Sequence, residues 1–266
     1  MKERLDVLLV NNGLAESREK AKRTIMAGLV KVEGRVEDKP GSSFDIDSLI
    51  EVEGKECPYV SRGGLKLEKG IEEWGIDCKD KICVDMGAST GGFTDCMLQH
   101  GAVKVYAIDV GYGQLDYKLR TDSRVVNMEK TNIRYLDTNL IEEPIDLISI
   151  DVSFISLSHM LPVASELLAD EGLVFCLVKP QFEAGREQVG KGGIVRDAKI
   201  HEEVINKVIS FAEESELYPC ELSYSPIKGT KGNIEYILLL SSKKCDNKLT
   251  VRDVVNEAHD SMNNHK

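Results

Sequence analysis

Residues 83–95, Cys83-Val84-Asp85-Met86-Gly87-Ala88-Ser89-Thr90-Gly91-Gly92-Phe93-Thr94-Asp95, decide how the rest of the chain is read. A short apolar strand over 82–86 runs into a glycine-rich turn and then into the first turn of a helix. Nucleotide-binding α/β sheets carry such a loop at the C-terminal end of their first strand. Glycines let the backbone approach a ligand closely, and the following helix offers N–H groups with no partner in the helix. The spacing is not the G-x-G-x-x-G of a dinucleotide loop, because Gly87 is followed next by Gly91 and Gly92. An acidic residue two positions before the first glycine, with no Lys-Ser/Thr pair, excludes a P-loop as well. The loop suits a ligand with an amino-acid end and a nucleoside end, which describes S-adenosylmethionine (SAM). Asp85, Gly87, Ala88, Ser89, Thr90, Gly91, Gly92, Phe93 and Thr94 are therefore candidate cofactor contacts.

Downstream of this loop, strands and helices alternate. Strands are expected over 103–109, 125–128, 145–151 and 173–179, with helices over 157–168 and 201–216. Segments 222–226 and 234–240 can close the sheet as an antiparallel edge. This alternation predicts an α/β fold with a mostly parallel sheet and right-handed crossovers. Upstream, a helix over 63–74 places Leu65, Leu67 and Ile71 on its apolar side. The stretch after Lys243 is polar and is expected to be a tail, at most a loosely held helix.

The first 57 residues read as a small α+β unit. Leu5, Leu8, Leu9 and Val10 mark a short helix ending at Gly13, and Ser17 caps a second helix over 18–27. Strands are expected over 29–32 and 49–52. A unit of about 55 residues lies below the size at which a core alone gives ample stability. Arg18, Lys20, Lys22 and Arg23 crowd into just over one turn of the second helix, with Arg4, Lys31 and Arg35 nearby in sequence, and residues 58–62 form a linker that contains Arg62. These cations are candidate RNA-backbone contacts.

Composition narrows the classes. With 266 residues, 42% hydrophobic and 30% charged, the chain is expected to be a soluble globular protein with one sizeable domain and one small one. No apolar run approaches the ~20 residues of a membrane span, and residues 1–6 contain no signal-like stretch. A net charge of −11 argues against indiscriminate coating of nucleic acid. Seven cysteines without a C-x-x-C pair argue against zinc and iron–sulfur sites, and no metal is expected. The odd count reads as reduced thiols in a cytoplasm.

Several positions at or near strand mouths stand out. Asp109 ends the second strand of the sheet, where a carboxylate can take both ribose hydroxyls of a nucleoside. Glu129 and Asn132 follow the third strand and could reach the adenine. Asp151 closes the fourth strand, and the Asn/Asp-Pro-Pro-Tyr/Phe motif of exocyclic amine methylation is absent there. Lys179 closes the fifth, where an amine after apolar residues is expensive unless paired or used. Glu235 interrupts an apolar strand in the same way, whereas Lys66 would pass as a surface lysine. Two lysines flanked by carboxylates suit a ribose 2′-hydroxyl, a poor nucleophile that must lose its proton as it attacks a methyl group. A lysine beside a second lysine is expected to have a lowered pKa and to serve as the base.

Two resemblances sharpen these readings. The N-terminal pattern R-L-D-x-x-L-V followed by S-R-E-K-A-K-R-x-I-x-A-G-L-V-K-V-E-G resembles the RNA-binding module first seen in a small-subunit ribosomal protein and in pseudouridine synthases. The motifs S-R-G-G-L-K-L, D-M-G-A-S-T-G-G-F-T-D, D-V-S-F-I-S-L, L-V-K-P-Q-F-E-A-G and K-G-N-I-E-Y occur in order between residues 61 and 236, within a resemblance that covers about residues 2–241. Together they resemble the TlyA family, named both for hemolysin A and for ribosomal RNA 2′-O-methyltransferases, whose catalytic domain is similar to that of FtsJ, the heat-shock RNA methyltransferase.

The resemblance implies a Rossmann-like SAM-dependent methyltransferase domain over 63–243 behind the N-terminal RNA-binding domain, with a tail over 244–266. It implies a catalytic tetrad at Lys66, Asp151, Lys179 and Glu235, with Asp151 also near the cofactor. The implied reaction is 2′-O-methylation of cytidine in 16S and/or 23S ribosomal RNA, with ribosomal subunits as partners and a monomeric enzyme expected.

Three other readings are weighed. A 5-methylcytosine enzyme needs a nucleophilic Cys, and Pro219-Cys220 supplies the dipeptide, but far past the sheet-end motifs. A membrane-active hemolysin has no signal, span or amphipathic strand series in its favour. A catalytically silent RNA chaperone would not need the tetrad and the glycine loop.

Overall fold

The computed structural model describes residues 1–26, 28–52, 57–229, 231–246 and 249–263, and the chain divides after Gly64 into two units. In the first, β1 (Lys2–Arg4) leads into α1 (Leu5–Asn11), and α2 (Arg18–Met26) follows. α2 begins where Ser17 accepts from Lys20 N through its hydroxyl (3.2 Å) and from Ala21 N through its carbonyl (2.8 Å). Ala27, expected as the end of this helix, lies outside the described residues. Next come β2 (Val30–Val32), β3 (Arg35–Glu37), β4 (Ser43–Asp45) and β5 (Ile50–Val52). β4 pairs with β1, and β3-β2-β5 make a second antiparallel sheet.

Leu5, Leu9, Ala21, Ile25, Val30 and Val32 form the small core of this unit. Asp6 is buried with them and accepts from Arg4 Nε (2.9 Å) and Arg18 Nη2 (2.9 Å). The Arg4 hydrogen bond, with Arg18 beside it, holds the Asp6 carboxyl down at about 2. Residues 58–62, read above as a linker, contain the buried Tyr59 and Val60. The Tyr59 ring lies so close to Gly64 that a Cβ there would come within 2.4 Å of it.

The second unit begins within the first turn of α3 (Gly63–Trp74) and alternates through β6 (Ile82–Met86), α4 (Gly92–Gln99), β7 (Lys104–Ile108), α5 (Tyr117–Arg120), β8 (Val125–Met128) and β9 (Ile145–Ile150). It continues through α6 (Leu161–Leu167), β10 (Leu168–Val178), α7 (Pro180–Glu183), α8 (Ala198–Glu214), β11 (Tyr218–Tyr224), β12 (Tyr236–Ser241) and α9 (Val251–Asn263). The seven strands lie in the order β11-β12-β10-β9-β6-β7-β8, and only β12 runs against its neighbours. The central strands are buried on both faces, as parallel sheets with crossover helices require, so β6 and β9 are apolar almost throughout.

Three elements differ from expectation. The helix expected over 157–168 divides into a 3-10 turn at Leu157–His159 and then α6, because Ser156 caps the first and Pro162 suits the first turn of the second. The C-terminal stretch is not loose. α9 sets Val255 and Ala258 fully inside the main core, with Val251, Val254 and Met262 packed beside them, a helical stripe within a polar sequence. His259 Nε2 lies 3.1 Å from Nδ1 of the buried His201, whose other neighbours are the Tyr236 hydroxyl (2.7 Å) and the Val195 carbonyl (3.1 Å). Finally, the cysteines are not all thiols. Cys220 on β11 is disulfide-bonded to Cys245, the chain after β12 having turned back so that the two Cα atoms are 5.2 Å apart, within the usual span of a disulfide.

Candidate active site

The strand order reverses between β6 and β9, and ligand crevices of open α/β sheets lie outside the strand ends at that point. Gly87 leaves β6 there with φ +86°, and a Cβ on it would stand 2.8 Å from the Asp151 carbonyl. Only glycine satisfies both the left-handed backbone and that contact. Gly87 N and Ala88 N donate to Ile108 O (2.9 and 3.1 Å), and Ser89 N donates to Asp109 Oδ2 (2.8 Å), so the loop is tied to the end of β7. Ser89, at φ +48°, and Thr90 remain at the surface of the crevice, while Gly91, Gly92, Phe93 and Thr94 are buried at the start of α4.

Asp85 does not face that crevice. It is 1% exposed, and its carboxylate accepts from Thr94 N (2.9 Å), Thr94 Oγ (2.7 Å) and Ser149 Oγ (3.0 Å). It thereby acts as the N-terminal cap that α4 lacks, since Gly91 has no side chain to give. Burial pushes its carboxyl up to about 6 despite those donors. The expectation that Asp85 touches a cofactor is therefore corrected to a brace beneath the loop.

Asp109 stands at the mouth of β7, and its two oxygens accept from Ser89 N and Gly111 N (2.7 Å). Glu129, expected near an adenine, has both oxygens on Arg120, one of them also accepting from Gly113 N (2.8 Å). Its carboxyl is held below the usual range by the Arg120 hydrogen bond. Asn132 caps a 3-10 turn by accepting from Arg134 N (3.1 Å).

The four tetrad positions come together, from four different elements. Lys66 Nζ donates to Glu235 Oε2 (2.8 Å) and lies 3.6 Å from Asp151 Oδ2. Asp151 Oδ1 is ion-paired with Lys179, whose amine also donates to Val152 O (3.0 Å) and Ser153 Oγ (3.2 Å). Asp151 thus sits between two ammonium groups, which draw its carboxyl below the ordinary value against the opposing effect of burial. Burial pushes Lys66 down, but Asp151 and Glu235 together outweigh it, so this amine is held as a firm ammonium, opposite to the lowered lysine expected from the sequence.

Lys66, expected at the surface, is 8% exposed, because α3 turns its Lys66-Leu67-Gly70 face inward. Gly70 makes that possible by letting the Phe175 ring approach, where a Cβ would lie 2.4 Å away.

Two residues went unnoticed in the sequence. Phe154, three residues past Asp151, is 86% exposed in a left-handed backbone (φ +65°) and packs 4.9 Å from the Phe182 ring. An exposed, strained phenylalanine is a functional signal that only coordinates reveal. Gln181 donates from Nε2 to Glu235 Oε1 (3.1 Å).

Pro219-Cys220 lies at the other end of the sheet. Pro219 pairs with Leu240, which faces Val174, roughly 17 Å along the chain from Lys179 at ~3.3 Å per residue, and Cys220 is in a disulfide. It has no access to the crevice, which removes the 5-methylcytosine reading.

The candidate RNA-contacting cations of the first unit divide. Arg4 and Arg18 are engaged by Asp6, and Lys20 and Lys22 pair with Glu16 (3.2 Å) and Glu19 (2.8 Å). Arg23 is exposed, Lys31 is half-buried on β2, and Arg62 lies against Gly28.

Comparison with known proteins agrees with this geometry. Residues 59–242 match the FtsJ-like methyltransferase family, and residues 3–47 match the S4 domain. The Bacillus subtilis protein YqxC is 56% identical over 241 residues, covering 90% of this chain and 85% of its own. The 16S/23S rRNA (cytidine-2′-O)-methyltransferase TlyA of Mycobacterium tuberculosis is 40% identical over 257 residues, 96% of each chain. A solved structure of a Streptococcus thermophilus protein with a hemolysin name superposes with a TM-score of 0.80 at 48% identity, covering 99% of this chain and 98% of the other. The chain, an FtsJ-like methyltransferase with an S4 domain at its N-terminus, belongs to the TlyA family.

Proposed function

We propose that the protein transfers a methyl group from SAM to the ribose 2′-hydroxyl of cytidine in ribosomal RNA, working on ribosomal subunits in the cytoplasm. The observation that carries this reading is the alternating Lys179–Asp151–Lys66–Glu235 cluster at the sheet switch point. The residues around the crevice fit the cofactor. Gly87 leaves no side chain over Asp151, Asp109 offers a carboxylate at the strand mouth for ribose hydroxyls, and Asp151 offers one for a cationic amino-acid end. When bound, the cofactor supplies an activated methyl on a good leaving group.

The chain's own residues do the rest. Lys179 is the group that takes the hydroxyl proton, because its amine stands at the mouth of β10, ion-paired with Asp151. Lys66, fixed as an ammonium by Glu235 and Asp151, places positive charge where negative charge grows on oxygen. Positioning supplies most of the acceleration. The exposed Phe154 ring offers a face for the target base. The S4 domain supports the choice of structured RNA as partner.

A membrane-active role has less support. Among the described residues no helix is long and apolar enough to cross a membrane. The test is methyl transfer from labelled SAM to separated small and large ribosomal subunits that lack the modification, followed by mapping of ribose methylation. Label on a cytidine ribose is the expected result, lost in Lys179→Ala with SAM affinity retained. Label on a base, or none despite SAM binding, overturns the reading.

A further inference from the structure

Glu235 is 3% exposed and uses its two carboxylate oxygens differently. Oε2 takes the Lys66 ammonium at 2.8 Å, and Oε1 accepts from Gln181 Nε2 at 3.1 Å. The same Oε1 faces Gly229, where a Cβ would lie only 2.4 Å away. Gln181 follows Lys179 by two residues, in the first turn of α7, with Pro180 opening that helix. The turn that presents Lys179 to Asp151 therefore also carries the amide that fixes Glu235.

The other end of that amide is unusual. Gln181 Oε1 is buried and accepts no hydrogen bond among the described residues. A buried acceptor without a donor destabilises a fold, and an apolar side chain of similar shape would remove the penalty. Stability alone does not explain a glutamine at this position. Its Nε2 does, because a buried carboxylate facing one ammonium through one oxygen needs a second donor to keep its other oxygen from rotating away.

We propose that Gln181 is a positioning residue for the methyl-transfer reaction, acting through Glu235 to hold the Lys66 ammonium in register with Asp151 and Lys179. The proposal rests on the reading of the tetrad given above. It assigns Gly229 a matching role, since the absence of a side chain there leaves the room in which Glu235 Oε1 meets Gln181. The tetrad is then one end of a longer chain of contacts, Lys179–Asp151–Lys66–Glu235–Gln181, whose last member carries no charge.

The experiment compares wild type, Gln181→Met and Gly229→Ala in the full chain. Gln181→Met is expected to unfold at the same temperature or higher, to bind SAM and ribosomal subunits within about twofold of wild type, and to lose roughly 10- to 100-fold in kcat. Gly229→Ala should show the same loss of kcat. In a Glu235→Gln background Gln181→Met should add little, because both act through one carboxylate. A kcat loss matched by equal losses of SAM affinity and melting temperature would make Gln181 structural and overturn the proposal, as would unchanged kcat.

A second measurement does not depend on methylation. With 15N-labelled lysine, the slowly exchanging Lys66 ammonium signal, assigned by its loss in Lys66→Met, should broaden in Gln181→Met. An identical signal in both proteins refutes the positioning role. If wild type places no label on ribose, the functional reading fails, and the Lys66 signal still decides for or against Gln181.

Discussion

Lys66 Nζ and Glu235 Oε2 meet at 2.8 Å across 169 residues of sequence, both almost wholly buried. Removing one member of such a pair leaves the other as an uncompensated buried charge, which costs about 3–5 kcal/mol. Lys66→Met should therefore lower unfolding stability by an amount of that order, in addition to abolishing methyl transfer. The double variant Lys66→Met/Glu235→Gln should recover much of the stability and none of the activity. Denaturant unfolding read by circular dichroism checks both statements, and a double variant as unstable as the single would contradict them.

Asp85 gives a pH dependence with a definite sign. Its folded carboxyl is raised by burial to about 6, above the ordinary ~3.9, so the ionised form is the costly one in the fold. Its contribution to stability grows as pH falls through about 6 and is complete below the unfolded value. In Asp85→Asn, whose amide oxygen can still accept from Thr94, that part of the pH dependence should vanish. Asp85→Leu should cost about 1–3 kcal/mol, because Thr94 N loses its partner. Melting temperatures between pH 5 and 7 for the three proteins decide the matter.

Asp6 has the opposite sign. Its folded value of about 2 lies below the ordinary ~3.9, so its stabilisation is present above pH ~4 and is lost as pH falls toward 2. Amides of α1 and β2 should lose hydrogen-exchange protection over that range by an amount on the order of 1–2 kcal/mol, since Arg4 and Arg18 are about half exposed. In Asp6→Asn the protection should already be lower at neutral pH and nearly flat with pH.

The cations of α2 should behave unequally on RNA. Arg23 is exposed, so Arg23→Gln should weaken ribosomal RNA binding and flatten the salt dependence by about 0.9 in log–log slope, with no change in folding. Arg18→Gln should do the same and also destabilise the first unit, because Arg18 supports Asp6. Filter binding across a salt series, with thermal melts in parallel, separates the two. An unchanged slope for Arg23→Gln would remove it from the RNA contact.

Much of this arrangement is legible in the sequence, and the exceptions share a cause. Asp109, Asp151, Lys179 and Glu235 announce themselves because a charge at the end of an apolar strand is anomalous wherever the strand lies. Lys66 does not, since a lysine on an amphipathic helix is ordinary until tertiary packing turns the Lys66-Gly70 face inward. Asp85 looks like a ligand contact because the motif gives its place in the chain but not its direction. β6 points it under the loop, toward Thr94 and Ser149. Arg18 shows only its charge, and not its structural duty to Asp6, because that partner lies twelve positions away on another helix. The helix at 251–263 was obscured by polarity, as its apolar stripe is narrow within charged neighbours. Side chains whose roles depend on what a distant segment brings opposite them are the ones a single chain of letters conceals.

The position of Glu235 at the entrance to the last strand has a consequence for biosynthesis. A chain synthesised as far as Lys179, one residue past β10, already contains Lys66, Asp151 and Lys179, two amines with one carboxylate between them. The fourth charge arrives with β12, the strand that inserts between β10 and β11 to finish the sheet. A polypeptide still being translated thus carries an unbalanced positive cluster and an open sheet edge. The strand that closes the sheet is thus also the one that completes the charge balance of the site, and the two are finished in a single step.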